Sequence, residues 1–393
     1  MKHVKTDDDL ISIRRHLHAH PELSLREEKT ATFVEEQLAA FGIDQVERIA
    51  GTGVVALVVG EREGPTRAYR ADIDALPIEE KNDVDYASKN TGVMHACGHD
   101  VHTTIGLGVA RAVHRRRHEL AGRVKFIFQP AEEASPEDEP VGAERLVKEG
   151  VLQSPQVDAI YALHCMPTLE VGKIGYTGGP VWAASELMEI EIEGKQAHGA
   201  YPHEGIDAVA VAAQVVVALQ QVVSRTIDAR QSCVVTVGHV EAGNSYNIIA
   251  ERASMTGILR GLSDEAMERA RQSIEEIVTH VSRGFGATGS VKFTPGARLV
   301  ANDVSLESSA VAIIKEQLGD AIVTSHQPQL GAEDFSAFSR RIPGCYLFLG
   351  IRNEARGITH ALHTPHFDVD EDCIGVGVAA MTEVLLAKGP RLS

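Results

Sequence analysis

The chain repeats one pattern that restricts its fold more than any other: short runs reading as strands, separated by segments of helical period. The strands are VVALVVG (54–60), TRAYRADI (66–73), VKFIFQ (124–129), DAIYALH (158–164) and CYLFLGI (345–351). A strand with one wet face alternates apolar and polar residues, whereas near-continuous hydrophobicity suits a strand covered on both faces. Helices are expected near 27–41, 102–118, 142–150, 304–318, 333–340 and 370–388. Together they predict an α/β domain with a mostly parallel central sheet flanked by helices.

The period changes between about 183 and 296. ELMEIEIEG alternates with period two, 205–224 is helical, SCVVTVGHV and ASMTGILRG read as half-buried strands, DEAMERARQSIEEIVTHVSRGF is amphipathic, and SVKFTP closes the segment. The order strand, helix, strand, strand, helix, strand is that of a ferredoxin-like α+β unit. It is expected as a domain of residues 183–296 inserted into a first domain of 1–182 and 297–393, between the glycine-rich VGKIGYTGGP and TPGARL. A length of 393 residues accommodates both cores.

Charge narrows the partners. With 38 basic against 55 acidic residues the formal net charge is −17, which repels a phosphate backbone and argues against nucleic acid. The one basic cluster, His114 to His118, reads as a solvated helix end. No apolar run is seen that approaches the roughly 18 to 20 residues needed to cross a bilayer, and the charged start MKHVKTDDDL shows no leader, so no membrane partner is expected. Cys97, Cys165, Cys233, Cys345 and Cys373 are odd in number and lack framework spacing, as in a reducing, cytoplasmic setting.

The 18 histidines cluster, and the clusters fall after strands. Asp72 and Asp74 follow one strand; Cys97, His99, Asp100 and His102 precede a helix; Glu132 and Glu133 follow VKFIFQPA; His164 and Cys165 end DAIYALHC; His360, His363 and His366 follow CYLFLGI. Ligands of open α/β sheets bind at that edge. A thiolate, imidazoles and carboxylates suit borderline transition metals, in more copies than one four-coordinate ion uses, so two metals about 3.5 to 4 Å apart fit the inventory. Of two adjacent glutamates one can ligate while the other takes a proton from water, a combination that hydrolyses amides. Taken singly, each feature has a plainer reading. Paired acids make solvated turns, His198 in GKQAHGAYPHEG reads as a turn residue, and His16, His18 and His20 read as a helix face running into a proline.

RRHLHAHPELS, YRADIDALPIEE, GVMHACGHDVHTT, FQPAEE, GKQAHGAYPHEGIDA, NIIAERASMTGILR, GAEDFSAF and HALHTPHF, taken together, resemble the metallopeptidase-type amidohydrolases: aminoacylases, hippurate hydrolases and auxin-conjugate (indoleacetyl-amino acid) hydrolases. The resemblance runs from about residue 11 to 385. It implies a catalytic α/β domain with an inserted smaller domain and two divalent metal ions, zinc or manganese, with cobalt or nickel as alternatives. Carried over by position, Cys97, His99, Glu133, His164 and His363 are the implied metal ligands, with Cys97 bridging. Glu132 matches the general base, and Asp74 a carboxylate that supports the ligands. His198 matches a histidine facing the substrate carbonyl, and Asn247 and Arg260 match positions that hold the substrate carboxylate. The implied substrates are N-acyl-L-amino acids, and the implied assembly is a homodimer through the inserted domain. Two departures stand out: ASPEDEPVG follows the paired glutamates where a short glycine-rich turn is usual, and GILR replaces a stretch that often carries threonine. The acids of the loop 135–140 would disfavour anionic acyl groups or favour cationic ones, the plainer reading being a solvated surface loop. A carboxypeptidase or dipeptidase, and a non-catalytic binder of metal or conjugate, are the rival readings.

Overall fold

The computed structural model describes residues 6–134 and 140–387, and in it the strand-like runs line up in one eight-stranded sheet. Its strands are β1 (Val46–Ile49), β2 (Gly53–Val59), β3 (Arg62–Asp72), β4 (Ala121–Gln129), β5 (Ala159–Glu170), β6 (Ile174–Tyr176), β15 (Val323–Ser325) and β16 (Gly344–Arg352), in the order β1-β2-β4-β3-β5-β16-β6-β15. The four central strands, β4-β3-β5-β16, are parallel. Among the described residues of this sheet, antiparallel pairing is confined to β1–β2, β2–β4 and β16–β6. These central strands are buried on both faces, as continuous hydrophobicity requires.

Helices α1 (Asp8–Ala19), α2 (Glu28–Ala40), α3 (His99–Arg115), α4 (Gly142–Lys148), α7 (Val304–Leu318), α8 (Ser336–Ser339) and α9 (Asp372–Leu386) accompany this sheet. Helix α3 packs against β3 and α9. Gly106 allows its close approach, because a Cβ there would stand 2.9 Å from the Phe128 ring.

The second unit repeats the order read from the sequence. β8 (Ala184–Glu193), α5 (Ala208–Gln221), β10 (Cys233–Ala242), β12 (Arg252–Gly261), α6 (Asp264–Gly284) and β13 (Thr288–Pro295) build a four-stranded antiparallel sheet, β10-β12-β8-β13, the ferredoxin-like arrangement. Met188, Ile190 and Ile192 of β8 point inward with Val211, Val215 and Leu219 of α5 and Ile274 and Val278 of α6. Strands β9 (Ala197–His198) and β11 (Ile248–Ile249) form a separate ribbon, and β7 (Pro180–Trp182) and β14 (Val300–Ala301) mark the ends of the insertion.

Several details differ from the sequence reading. The chain divides into one compact unit that runs to Gly179 and includes Ala301–Gln327 and the residues from Ala337 on, and a second of Pro180–Val300 with Pro328–Ser336. The segment Pro328–Ser336 is tied to the second unit by Ala183 N–H, which donates to the carbonyls of Gln329 and Gly331. The helix expected at 333–340 shrinks accordingly to α8. Helix α3 begins at His99 rather than 102, and β5 runs six residues past His164. Finally, α5 and the π turn after it, Ala208–Thr226, form a helix of 19 residues that is long and apolar enough to cross a membrane, contrary to the expectation that no run came close. One face of it is core, and glutamines with a single charge near its end, Arg225, interrupt the rest.

Candidate metal centre

Four departures of the chain from the central sheet and helix α3 supply the site. β3 ends at Asp72, and Asp74 follows two residues later. Gly98 then takes a left-handed conformation (φ 85°), which sets Cys97 just before α3 and His99 at its first position. Beyond β4, Ala131 is also left-handed (φ 56°) and its N–H donates to the buried carboxylate of Glu27 at 2.8 Å. That carboxylate also accepts from Thr52 at 2.7 Å, and burial raises its pKa. The turn so fixed presents Glu132 and Glu133. His164 projects from β5, and His363 is left-handed (φ 60°) with its N–H on the Ala96 carbonyl at 2.8 Å.

These residues converge. The donor atoms of Cys97, His99 and His164 lie within 4.8 Å of one another, as do those of Cys97, Glu133 and His363, and those of His99, Glu132 and Glu133. Cys97 belongs to two of the three groups. Cys97 Sγ is 3.5 Å from His164 Nε2, and His363 Nε2 is 3.1 Å from Glu133 Oε1.

The surroundings orient the imidazoles. His99 donates from Nδ1 to Asp74, to the carbonyl at 2.9 Å and to Oδ1 at 3.1 Å, while Asp74 Oδ2 accepts from Glu133 N–H at 3.0 Å and from Ser24 at 2.7 Å. One carboxylate therefore aims a histidine and anchors the backbone of a glutamate. His164 donates from Nδ1 to the Cys165 carbonyl at 2.8 Å, which turns Nε2 toward Cys97. His102, by contrast, is satisfied at both nitrogens: Nδ1 donates to Asp72 at 2.5 Å and Nε2 accepts from Cys165 N–H at 2.8 Å.

The electrostatics fit a cation. Among the described residues His99 Nε2 is buried with no hydrogen-bond partner, yet carboxylate oxygens of Asp72, Glu132 and Glu133 stand 3.8, 4.0 and 4.0 Å away. Burial opposes charge on His99, but Asp72, Asp74 and Glu133 outweigh it and push its pKa up to about 10. Burial, reinforced by Glu133, Glu132 and Asp72, drives the Cys97 thiol far above its ordinary range. Burial and His102 hold His164 neutral. A thiol, three imidazoles and the adjacent carboxylates of Glu132 and Glu133, gathered around one buried imidazole nitrogen, are a donor set for divalent metal.

Against the known protein families, residues 68–387 match peptidase family M20/M25/M40. The chain belongs to this family. Its members hydrolyse amide bonds, and this chain is such a hydrolase. It is 40% identical to an N-acyl-L-amino acid amidohydrolase of Geobacillus stearothermophilus over 366 residues, 92% of this chain and 95% of that one. It is 36% identical to thermostable carboxypeptidase 2 of Saccharolobus solfataricus over 383 residues, 97% and 95% of the two chains. A solved Bacillus subtilis structure described as a dinuclear metal binding peptidase superposes with a TM-score of 0.85 at 35% identity, covering 96% of this chain and 97% of that one.

The remaining positions implied by the family resemblance lie in the second unit. His198 on β9 pairs with Ile248 on β11, which places Asn247 beside it. His198 Nδ1 accepts from Ala200 N–H at 3.0 Å, so a neutral ring carries its proton on Nε2. Asn247 accepts from Ser245 at 2.7 Å, and Arg260 on β12 donates to the Leu330 carbonyl at 2.7 Å. His360 and His366 pair with each other, ring centroids 5.3 Å apart, on the exposed loop around His363. The acids Glu137, Asp138 and Glu139 lie outside the described residues. Two contributors went unassigned in the sequence: Glu27, which holds the Glu132 turn, and Asp72, which faces both His99 and His102. Only the position of Asp72 at a strand end gave a signal.

Proposed function

We propose that this chain is a dinuclear-metal amidohydrolase that cleaves N-acyl-L-amino acids to a carboxylate and a free amino acid. The observation that carries this reading is the convergence of Cys97, His99, Glu133, His164 and His363 around the unpartnered His99 Nε2, with Glu132 beside them. Those five residues would hold two divalent ions, zinc or manganese in first place and cobalt or nickel as alternatives, Cys97 belonging to two of the donor groups. When bound, the metals would polarise the scissile carbonyl and acidify water at neutral pH. Glu132 accepts the proton of the attacking water and delivers it to the leaving nitrogen. Asp74 keeps His99 and Glu133 in place. His198, through its Nε2 proton, would stabilise charge developing on the carbonyl oxygen, and Asn247 and Arg260 would hold the substrate carboxylate.

Elemental analysis of metal per chain tests this, with acetyl-amino acids and benzoylglycine assayed before chelation, after it and after metal return. Two metals with restorable cleavage are expected; a chain that takes up no metal would end the reading. The carboxypeptidase relative supports a second reading, since a peptide is also an N-acylated amino acid. Acetyl, benzoyl and aminoacyl donors compared on one amino acid separate the two.

The same reading takes the protein as a cytoplasmic homodimer. Its support is that all five cysteines are free and buried, and that the outward face of α5, with Val209, Ala213, Gln214 and Val217, carries no charge.

A further inference from the structure

Arg14 is wholly buried, and its guanidinium is shared among three carboxylates: Nε donates to Asp100 Oδ2 at 2.8 Å, Nη2 to Asp368 Oδ1 at 3.1 Å and Nη1 to Glu371 Oε1 at 3.4 Å. The ring of Tyr86 lies 4.8 Å from its Cζ, and the Tyr86 hydroxyl donates to the other oxygen of Asp368 at 2.8 Å. The partners are not arbitrary. Asp100 follows His99 directly in the first turn of α3, and Asp368 lies five residues past His363. Arg14 thus grips the two chain segments that bear His99 and His363, although neither segment adjoins the other in sequence.

The neighbours of Arg14 brace the same two segments. His18, one turn further along α1, donates from Nδ1 to Asp100 Oδ2 at 2.8 Å and from Nε2 to Glu80 at 3.2 Å. Glu80 in turn accepts from Asn82, whose amide also donates to the Phe367 carbonyl at 2.9 Å, and Lys81 N–H donates to the Pro365 carbonyl at 2.9 Å. A network serving only to bury a charge would need one carboxylate. This one spends a planar, five-donor fork on carboxylates from separate segments, a geometry that a lysine cannot reproduce.

We propose that Arg14 is a positioning residue of the metal centre, fixing the spacing of His99 and His363 and therefore the affinity for the metal that His363 serves. The inference rests on the metal site proposed above, and its test reads metal binding rather than turnover. Chelator-stripped full-length protein is titrated with zinc against a chromophoric competitor, for wild type, Arg14→Lys and Asp368→Asn. Lysine keeps the charge and loses the fork. Asparagine releases the loop of His363 while keeping an acceptor for Tyr86, at a side chain already 17% exposed, so folding should survive.

Wild type is expected to bind two zinc ions. In both variants one of them should weaken at least tenfold, with far-ultraviolet circular dichroism unchanged. Variants that bind both ions with wild-type affinity would overturn the proposal, even if their metal-free melting temperature falls, because Arg14 would then be serving stability alone. A wild-type chain that binds no zinc would overturn the metal reading and this inference with it.

Discussion

Glu132 and Glu133 are adjacent, yet one nitrogen-for-oxygen exchange should separate their roles. Glu132→Gln is expected to keep both metals and the melting temperature while kcat falls by roughly 10²–10⁴, the range that a positioned proton carrier contributes. Cys97→Ser should lower metal content first, and elemental analysis beside the assay distinguishes the two. His18 offers a test that is independent of turnover. Burial and Arg14 oppose its charge, but Asp100 and Glu80 face both ring nitrogens and hold its pKa above the ordinary value. A raised folded pKa means that its stabilisation is complete below about pH 6.5 and is lost as pH rises through the folded value. The melting temperature of metal-free wild type should therefore fall toward that of His18→Gln on the alkaline side; parallel curves would contradict it. At this scale the donor residues were legible, because a thiol, imidazoles and carboxylates gathered after strands have few other uses. Their supports were not. Glu27 reaches Ala131 across 104 residues and Arg14 reaches Asp368 across 354, and no local pattern encodes such pairs.

Helix α3 connects the ligands to the sheet, and its start depends on one backbone conformation. A Cβ on Gly98 would meet Cys165 Cβ and Sγ at 2.9 Å, with φ at 85°. Gly98→Ala is expected to cost about 2–4 kcal/mol from left-handed strain and overpacking together. It should also displace Cys97 and His99, so calorimetry and metal content should fall together; loss of stability with metal uptake intact would separate the turn from the site. Elements of strong period were readable: α7 lies at the expected 304–318 and β8 alternates as ELMEIEIEG does. The start of α3 was not, because a glycine in the left-handed region resembles any loop glycine in sequence. The helix expected at 333–340 was too long, shrinking to α8, for a different reason. The segment running into it, Pro328–Ser336, belongs to the second unit and bonds with Ala183 through Gln329 and Gly331, a tertiary preference that periodicity does not carry.

For the whole molecule, the order strand, helix, strand, strand, helix, strand was readable, but the edges read at 183 and 296 differ from the compact unit, which spans Pro180–Val300 and takes in Pro328–Ser336. The return of Pro328–Ser336 was invisible, because nine residues are too few to show a period. Association is the property to test here. Val217 is 66% exposed on the uncharged face of α5, so a homodimer built on that face should dissociate when Val217→Glu is introduced. Sedimentation should then show a monomer with unchanged circular dichroism, and a dimer that persists would place the contact elsewhere.

All five thiols are buried and unpaired, and for Cys97, Cys165, Cys345 and Cys373 burial raises the pKa well above its usual value. Alkylating reagents attack the thiolate, so the native protein should be almost inert to them, and each modification becomes a record of an opening event. Mass spectrometry of timed iodoacetamide labelling would then rank local unfolding cysteine by cysteine. Cys233 reports on the inserted unit and the other four on the unit that carries the metal centre.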